Sequence, residues 1–423
     1  SLYGNIGLRP AGGEDADREV APPLVTGDQA ELKPLAVLDG DWSTYRGSNA
    51  RTDVSQVEIP QDVELQWTVD VSREVLPTAP VTAGGMVFVA DRSGAVQAID
   101  GDGKPVWKNF TAGPIYYPPT VAHDRVYVGS ADGRVYAFAA GDGTLQWSYR
   151  VGPADYWIPV YDSLVSVWPV AGGVVVEGDT VYAAAGITHY DGTHVVALDA
   201  ISGQLKASNT TSGTLETEVN NGISLQGNLM IVDDELRFLA GGVYETARYD
   251  LNTLACLNTP KKQVNSQYRT AFYPYYPAYG KYVSLDYQCS DGCSLSHDAS
   301  YEGSQFVNLA RYSALPPGVP KPQKEAARWG RRGGNLPKSI WQDKANRRFT
   351  SFVVTESTLL ATAHPDGQEN DPCLVSISTT DGADQWLKKL PGNAVKGGTS
   401  IGHDGRIYVS LENGQLLCFA PKP

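Results

Sequence analysis

The sequence predicts an all-β chain folded as a β-propeller, a ring of four-stranded antiparallel blades. Three observations predict it. The first is an internal repeat. "MVFVADRSGAVQAIDGDGKPVW" (Met86 to Trp107) and "RVYVGSADGRVYAFAAGDGTLQW" (Arg125 to Trp147) carry the same succession: an apolar strand, a short turn, an alternating strand, a D-G turn and a strand holding Trp. A period of about 40 residues with four strands is one propeller blade. The second is period-two alternation broken by frequent turn residues, the pattern of half-buried antiparallel strands. The third is composition: 44 glycines and 9 tryptophans against 2 methionines suit short strands joined by tight turns.

Taken in chain order, residues 1–40 lack periodicity and are expected to form an extended arm. Residues 41–423 are expected to form a single propeller domain with long loops on one face. Weaker repeat copies follow the first two, at Thr180 to Ser208, Glu235 to Leu257 and Phe352 to Trp386. The last copy, "GRIYVSLENGQLLCFA" (Gly405 to Ala420), stops before its Trp strand. "VELQWTVD" (Val63 to Asp70), with the orphan Trp67, is expected to supply that strand, closing the ring and removing an open edge. With the divergent Tyr279 to Ser313 region as a further copy, seven blades are expected, an eight-bladed ring being the alternative.

The segments "DGDGKPVW", "AGDGTLQW" and "TTDGADQW" carry a degenerate Asp–Gly–Trp blade signature. Together with "DWSTYRGSNARTDVS" (Asp41 to Ser55) they resemble the quinoprotein-dehydrogenase-like (PQQ-like) β-propeller superfamily, in the form found in bacterial exported proteins. The resemblance covers roughly residues 41 to 422. It implies the fold and an exported location: periplasmic, cell-surface or secreted. It does not imply one activity, because the superfamily includes enzymes and assembly scaffolds. Its best-known enzymes pair a vicinal disulfide with a calcium held by Glu, Asn and Asp beside the quinone. No two cysteines are adjacent here, which counts against PQQ. No cofactor and no protein-held metal is expected. Calcium stays open through the "DGDG" turn, although that turn lacks a 12-residue loop with a terminal Glu and reads better as a hairpin.

The formal net charge is −13, yet Lys321 to Arg348 holds a strong local excess of basic residues. An acidic chain with one basic patch does not suit a general nucleic-acid binder. No apolar run is long enough for a transmembrane helix. Of five cysteines, Cys289 and Cys293 in "CSDGC" are close enough for a small disulfide loop, with free thiols the alternative.

With strands A to D running outward in each blade, the A–B and C–D turns share one face and the B–C and D–A connections the other. The C–D turns are short. Long D–A connections are expected at Gly152–Trp168, Asn209–Gly222, Asn258–Gly280 and Pro316–Arg348. Long B–C connections are expected at Gly186–Gly192, Cys289–Gly303 and His364–Cys373. Long loops on one face of a rigid scaffold are where binding usually sits. One of them opens the run "YRTAFYPYYPAYGKYVSLDY", with seven tyrosines between Tyr268 and Tyr287.

Tyrosine offers a flat apolar face with a polar rim, which matches sugar rings, and arginine pairs with uronate or sulfate. A poly- or oligosaccharide, anionic in character, is therefore the expected ligand, with a protein partner as the alternative. The expected ligand-binding residues are Tyr156, Trp157, Tyr244, Tyr273, Tyr275, Arg331, Arg332, Arg347 and Arg348. Were the chain a polysaccharide lyase, β-elimination would need a base, an acid and a neutralised carboxylate. His189, Tyr190, Tyr268 and Arg269 are the candidates, and this reading stands ahead of quinone-dependent dehydrogenation.

Overall fold

The computed structural model describes residues 21–27, 32–160, 163–215, 222–240, 246–259, 281–298, 307–314 and 339–422. Among them the only helical pieces are single 3-10 turns, and no helix is long and apolar enough to cross a membrane. Strand β1 (Leu24–Thr26) lies in the N-terminal arm and β2 (Val63–Asp70) follows it. The first complete sheet is β3 (Val81–Ala83), β4 (Met86–Ala90), β5 (Ala95–Ile99) and β6 (Pro105–Phe110). The next is β7 (Thr120–Ala122), β8 (Arg125–Gly129), β9 (Arg134–Ala139) and β10 (Leu145–Arg150), with β1 added outside β10. A separate hairpin, β11 (Trp157–Val160) and β12 (Ser163–Ser166), precedes β13 (Val174–Glu177), β14 (Thr180–Ala185), β15 (His194–Asp199) and β16 (Leu205–Asn209). Three strands make the following sheet: β17 (Gln226–Val232), β18 (Glu235–Leu239) and β19 (Thr246–Asp250). Then come β20 (Leu285–Gln288), β21 (Ser294–Asp298), β22 (Val307–Tyr312) and β23 (Ser339–Gln342). β24 (Arg347–Val354), β25 (Thr358–Pro365), β26 (Cys373–Ser378) and β27 (Asp384–Lys389) form another sheet. The last, β28 (Ala394–Ile401), β29 (Ile407–Leu411) and β30 (Gln415–Pro421), takes β2 as its outer strand, antiparallel to β30.

The sequence pattern of each strand follows from its place. Inner strands are covered on both faces by neighbouring sheets, so β4 and β5 are apolar almost throughout and buried. Outer strands have one wet face and alternate: in β6 only Trp107 is buried. That tryptophan explains the repeat signature. Its indole N–H donates to Ala140 O at 2.8 Å, in the outer turn of the next sheet. Trp67, Trp147 and Trp341 do the same to Gly101, Ala200 and Thr379. The turn glycine receives the ring face: a β-carbon at Gly143, where φ is +77°, would sit 2.5 Å from Trp107 Cε3. The turn aspartate accepts backbone N–H groups, as Asp100 Oδ1 does from Asp102 and Lys104. Asp, Gly and Trp are thus three parts of one joint between successive sheets.

Residues 42–55 touch the first strands of the seven larger sheets among the described residues, with Trp42, Thr44, Tyr45, Arg51, Asp53 and Ser55 buried. Trp42 exchanges hydrogen bonds with Thr82 and Ser43 O accepts from Val121 N. Asn49 bonds to Val176 O and Ile231 N. Arg46 donates to Ser284 O beside β20, and Val54 bridges in parallel to Val354 of β24. Tyr45 lies against Gly397 of β28, where φ is +66° and a β-carbon would meet its ring at 2.6 Å. The described part of the arm also docks: besides β1, Leu35 N donates to Asp124 Oδ1 at 2.7 Å.

Three placements differ from expectation. The basic segment does not lead from one sheet to the next, because β22 and β23 are neighbours in one sheet, and most of it joins them. It leaves from the strand ends that carry the short turns, not from those that carry the tyrosine run. The long strand β24 begins only five residues after β23 ends, so the true inter-sheet connection there is short. "CSDGC" is the first turn of its sheet, closed by Cys289 N to Cys293 O at 2.9 Å, rather than the start of a B–C loop. Cys289 and Cys293 are free thiols, as are Cys256, Cys373 and Cys418.

Candidate functional site

Three connections that leave the same strand ends meet at one depression of about 550 Å³. They are the β10–β13 connection with its hairpin, the β14–β15 connection, and the β16–β17 connection. Pro153, His189, Tyr190, His194, Thr210, Thr211 and Thr214 line it. Gly192 and Gly213 also line it, and a β-carbon on Gly213 would lie 2.9 Å from His189 O and 3.0 Å from Gly192 Cα. Side chains are excluded there because the two connections touch.

His189 and Tyr190 sit on a single 3-10 turn, His189–Asp191, which Thr188 Oγ1 steadies by donating to Asp191 Oδ2 at 2.6 Å. Their ring centroids are 3.9 Å apart, and Tyr190 is 70% exposed. Behind them stands Trp168, which sequence reasoning did not single out. Its ring lies 5.9 Å from Tyr156 on one side and 5.9 Å from His194, edge-on, on the other, and its indole N–H donates to Asp191 O. Burial pushes the His194 imidazole below its usual range, which favours the neutral ring. Trp168 is therefore the post on which the hairpin and the histidine turn are both hung. Its signal in the sequence was a Trp outside the repeat register.

The hairpin exposes an apolar face. Tyr156 is 52%, Trp157 37% and Leu164 60% exposed. The structure thus brings together Tyr156, Trp157, His189 and Tyr190. Tyr244, Tyr268, Arg269, Tyr273, Tyr275, Arg331 and Arg332 lie outside the described residues.

Arg347 and Arg348 are not loop residues and do not join this site. They open β24. The Arg347 side chain is buried and donates to both Asp343 and Asp384, with Nη2 at 2.6 and 2.8 Å. Those carboxylates hold its guanidinium well above its ordinary pKa despite the cost of burial. Arg348 pairs with Asp366 at 3.0 Å. The end of the tyrosine run is also committed to structure: Tyr282 Oη is 3.1 Å from His364 Nε2, and Tyr287 Oη donates to Glu356 at 3.2 Å. Burial, with Glu356 adding to it, pushes the Tyr287 phenol up to about 12.

Among the described residues no three His, Cys, Asp or Glu side chains are placed to share a metal ion.

The sequence profile of the family described as "Outer membrane protein assembly factor BamB" matches residues 51–273, more than half of the chain. The chain belongs to that family. A member from Yersinia pestis is 30% identical over 202 residues, 45% of this chain and 47% of its own length. One from Burkholderia pseudomallei (strain K96243) is 32% identical over 124 residues, 29% of this chain and 31% of its own. A "1-butanol dehydrogenase (cytochrome c)" from Thauera butanivorans is 27% identical over 157 residues, 31% of this chain and 23% of its own. The chain thus spans less than half the length of each of these relatives. Among solved structures, the quinohemoprotein alcohol dehydrogenase of Comamonas testosteroni superposes with a TM-score of 0.55 at 14% identity, covering 91% of this chain and 81% of that one. A europium-containing methanol dehydrogenase gives 0.54 at 12%, covering 90% and 98%. These likenesses show the fold, that of the PQQ-like propellers, and not an activity.

Proposed function

We propose that this chain is an exported, non-catalytic binding propeller whose long-connection face docks a protein partner in outer-membrane protein assembly. One observation carries the reading. The β11–β12 hairpin holds Tyr156, Trp157 and Leu164 in solvent on a rigid base formed by Trp168, beside an open depression. Exposed aromatic anchors of this kind are typical hot-spot residues of protein interfaces. A two-stranded hairpin also leaves backbone N–H and C=O groups free to pair with an added strand. Family membership supports the same reading.

The scaffold behind this face is a seven-bladed ring, closed where β2 completes the sheet of β28, β29 and β30. It is supported by the contact of residues 42–55 with the first strand of each of seven sheets among the described residues, the pattern a ring of strands around that segment would give. Export, to the periplasm or the cell surface, fits the family's printed role.

Site-specific photocrosslinking tests the docking. A photoreactive residue at position 164 should cross-link outer-membrane proteins or their assembly apparatus in the host cell, whereas one at Lys104, in a short turn at the opposite strand ends, should not. Equal labelling from both positions, or none from 164, counts against the proposal. The depression favours a second reading. Its threonine hydroxyls beside Tyr190 and His189 suit a sugar, so binding of an acidic oligosaccharide that Tyr190→Ala abolishes would favour a carbohydrate ligand. Accumulation of unsaturated products would add lyase activity to that reading.

A further inference from the structure

Buried charge does not balance where the first strands converge. Arg46 is paired with Asp53, its Nε donating to Oδ1 at 2.8 Å. Arg51 is buried too, yet its guanidinium donates only to neutral acceptors: the Thr44 hydroxyl and the carbonyls of Tyr45, Ser48, Val174 and Leu229. The third basic side chain is Lys396 on β28, one residue before the glycine that packs on Tyr45. Its Nζ is buried and has no hydrogen-bond partner. Three basic side chains therefore meet one carboxylate among the described residues. A buried ammonium without an acceptor is costly, and proteins normally pair such groups. Burial, and the nearby Arg46 charge, push Lys396 down to about 7. Arg51 is pushed down in the same way, to about 9.

We propose that Lys396 is the anchor of a binding site for a small carboxylate anion. Lys396 lies near the start of β28, the strand end from which the long connections leave, so an anion would enter from that side. Lys396 is half-buried as a residue although its Nζ is buried, which leaves a short way in from solvent. A single ammonium beside a guanidinium already engaged by Asp53 matches a one-headed carboxylate better than a doubly charged phosphate. Binding brings a negative charge to an amine that is mostly neutral at pH 8, so it draws a proton from the buffer. This inference rests on the buried segment and β28, and stands or falls independently of the docking face.

The test is calorimetric titration of the full chain at pH 8 with acetate, succinate, citrate and inorganic phosphate, in two buffers of different ionisation enthalpy. A carboxylate should bind once per chain, with uptake approaching one proton and more tightly than phosphate. Binding should weaken at least tenfold in Lys396→Met and persist in Lys396→Arg. Absence of saturable carboxylate binding overturns the proposal, as does undiminished binding in Lys396→Met or a preference for phosphate. If Lys396→Met fails to fold, the wild type decides alone: identical apparent heats in the two buffers, meaning no proton uptake, overturn it.

Discussion

Replacing Gly143 by alanine tests whether the repeat signature is a steric joint. Gly143 has φ +77°, a conformation that costs an L-residue about 1 kcal/mol. Its new β-carbon would sit 2.5 Å from Cε3 and 2.6 Å from Cδ2 of Trp107, a ring held by its bond to Ala140 O and only 8% exposed. Overpacking against a ring that cannot swing away adds about 1–3 kcal/mol. The single variant should therefore lose about 2–4 kcal/mol, which for a chain of this size lowers Tm by only about 2–5 °C. Trp107→Ala alone should lose about 3–5 kcal/mol. In the double variant the space left by the ring accommodates the methyl group, and only the backbone cost of about 1 kcal/mol remains on top of the tryptophan loss. Urea unfolding of the four proteins measures the coupling, expected at about 1–3 kcal/mol. Additivity within about 0.5 kcal/mol would refute the joint and leave the glycine to backbone preference alone.

Arg347→Ala removes one partner of an ion pair in which Asp343 is buried and Asp384 partly exposed. The loss should fall at or below the low end of the range for buried pairs, about 2–3 kcal/mol by urea unfolding, and an unchanged midpoint would contradict the structural role assigned to this arginine. Burial, and the nearby Arg46 charge, push the Lys396 ammonium down to about 7 in the folded chain, against an ordinary value of 10.5. Between those values the unfolded state holds a proton that the folded state has released. Unfolding free energy should therefore rise with pH there by ~1 kcal/mol per unit relative to Lys396→Met, and be flat below pH 7. A slope of the opposite sign would place the amine in a polar setting. Thiol labelling at pH 8 should reach Cys256 and Cys293 while Cys373 and Cys418 stay unmodified, because burial pushes these two up to about 11 and about 12. Rapid modification of Cys418 in the native protein would mean that the sheet of β28, β29, β30 and β2 opens.

Local chemistry alone determined most of the repeat strands and their order. Alternation, Asp–Gly turns and the tryptophan of most outer strands are written within about 40 residues, and their pattern needs no partner to be read. Even the pairing of β2 with β30 followed from a missing strand at one end and an orphan Trp67 at the other. What lay beyond the sequence was which connection each long segment makes. The basic segment and the tyrosine run looked like equivalent insertions, but a strand as short as β23, four residues after a 26-residue gap, carries too little periodicity to reveal that the segment returns to its own sheet. The same holds for the site. His189, Tyr190, Tyr156 and Trp157 were visible as polar and aromatic loop residues. Trp168, the Gly192–Gly213 contact and the unpaired ammonium of Lys396 were not, because each depends on segments from different sheets arriving at one place. Periodicity is a property of neighbours in sequence, whereas a binding site and an uncompensated charge are properties of neighbours in space. The first could be read from the chain, and only the tertiary structure decided the second.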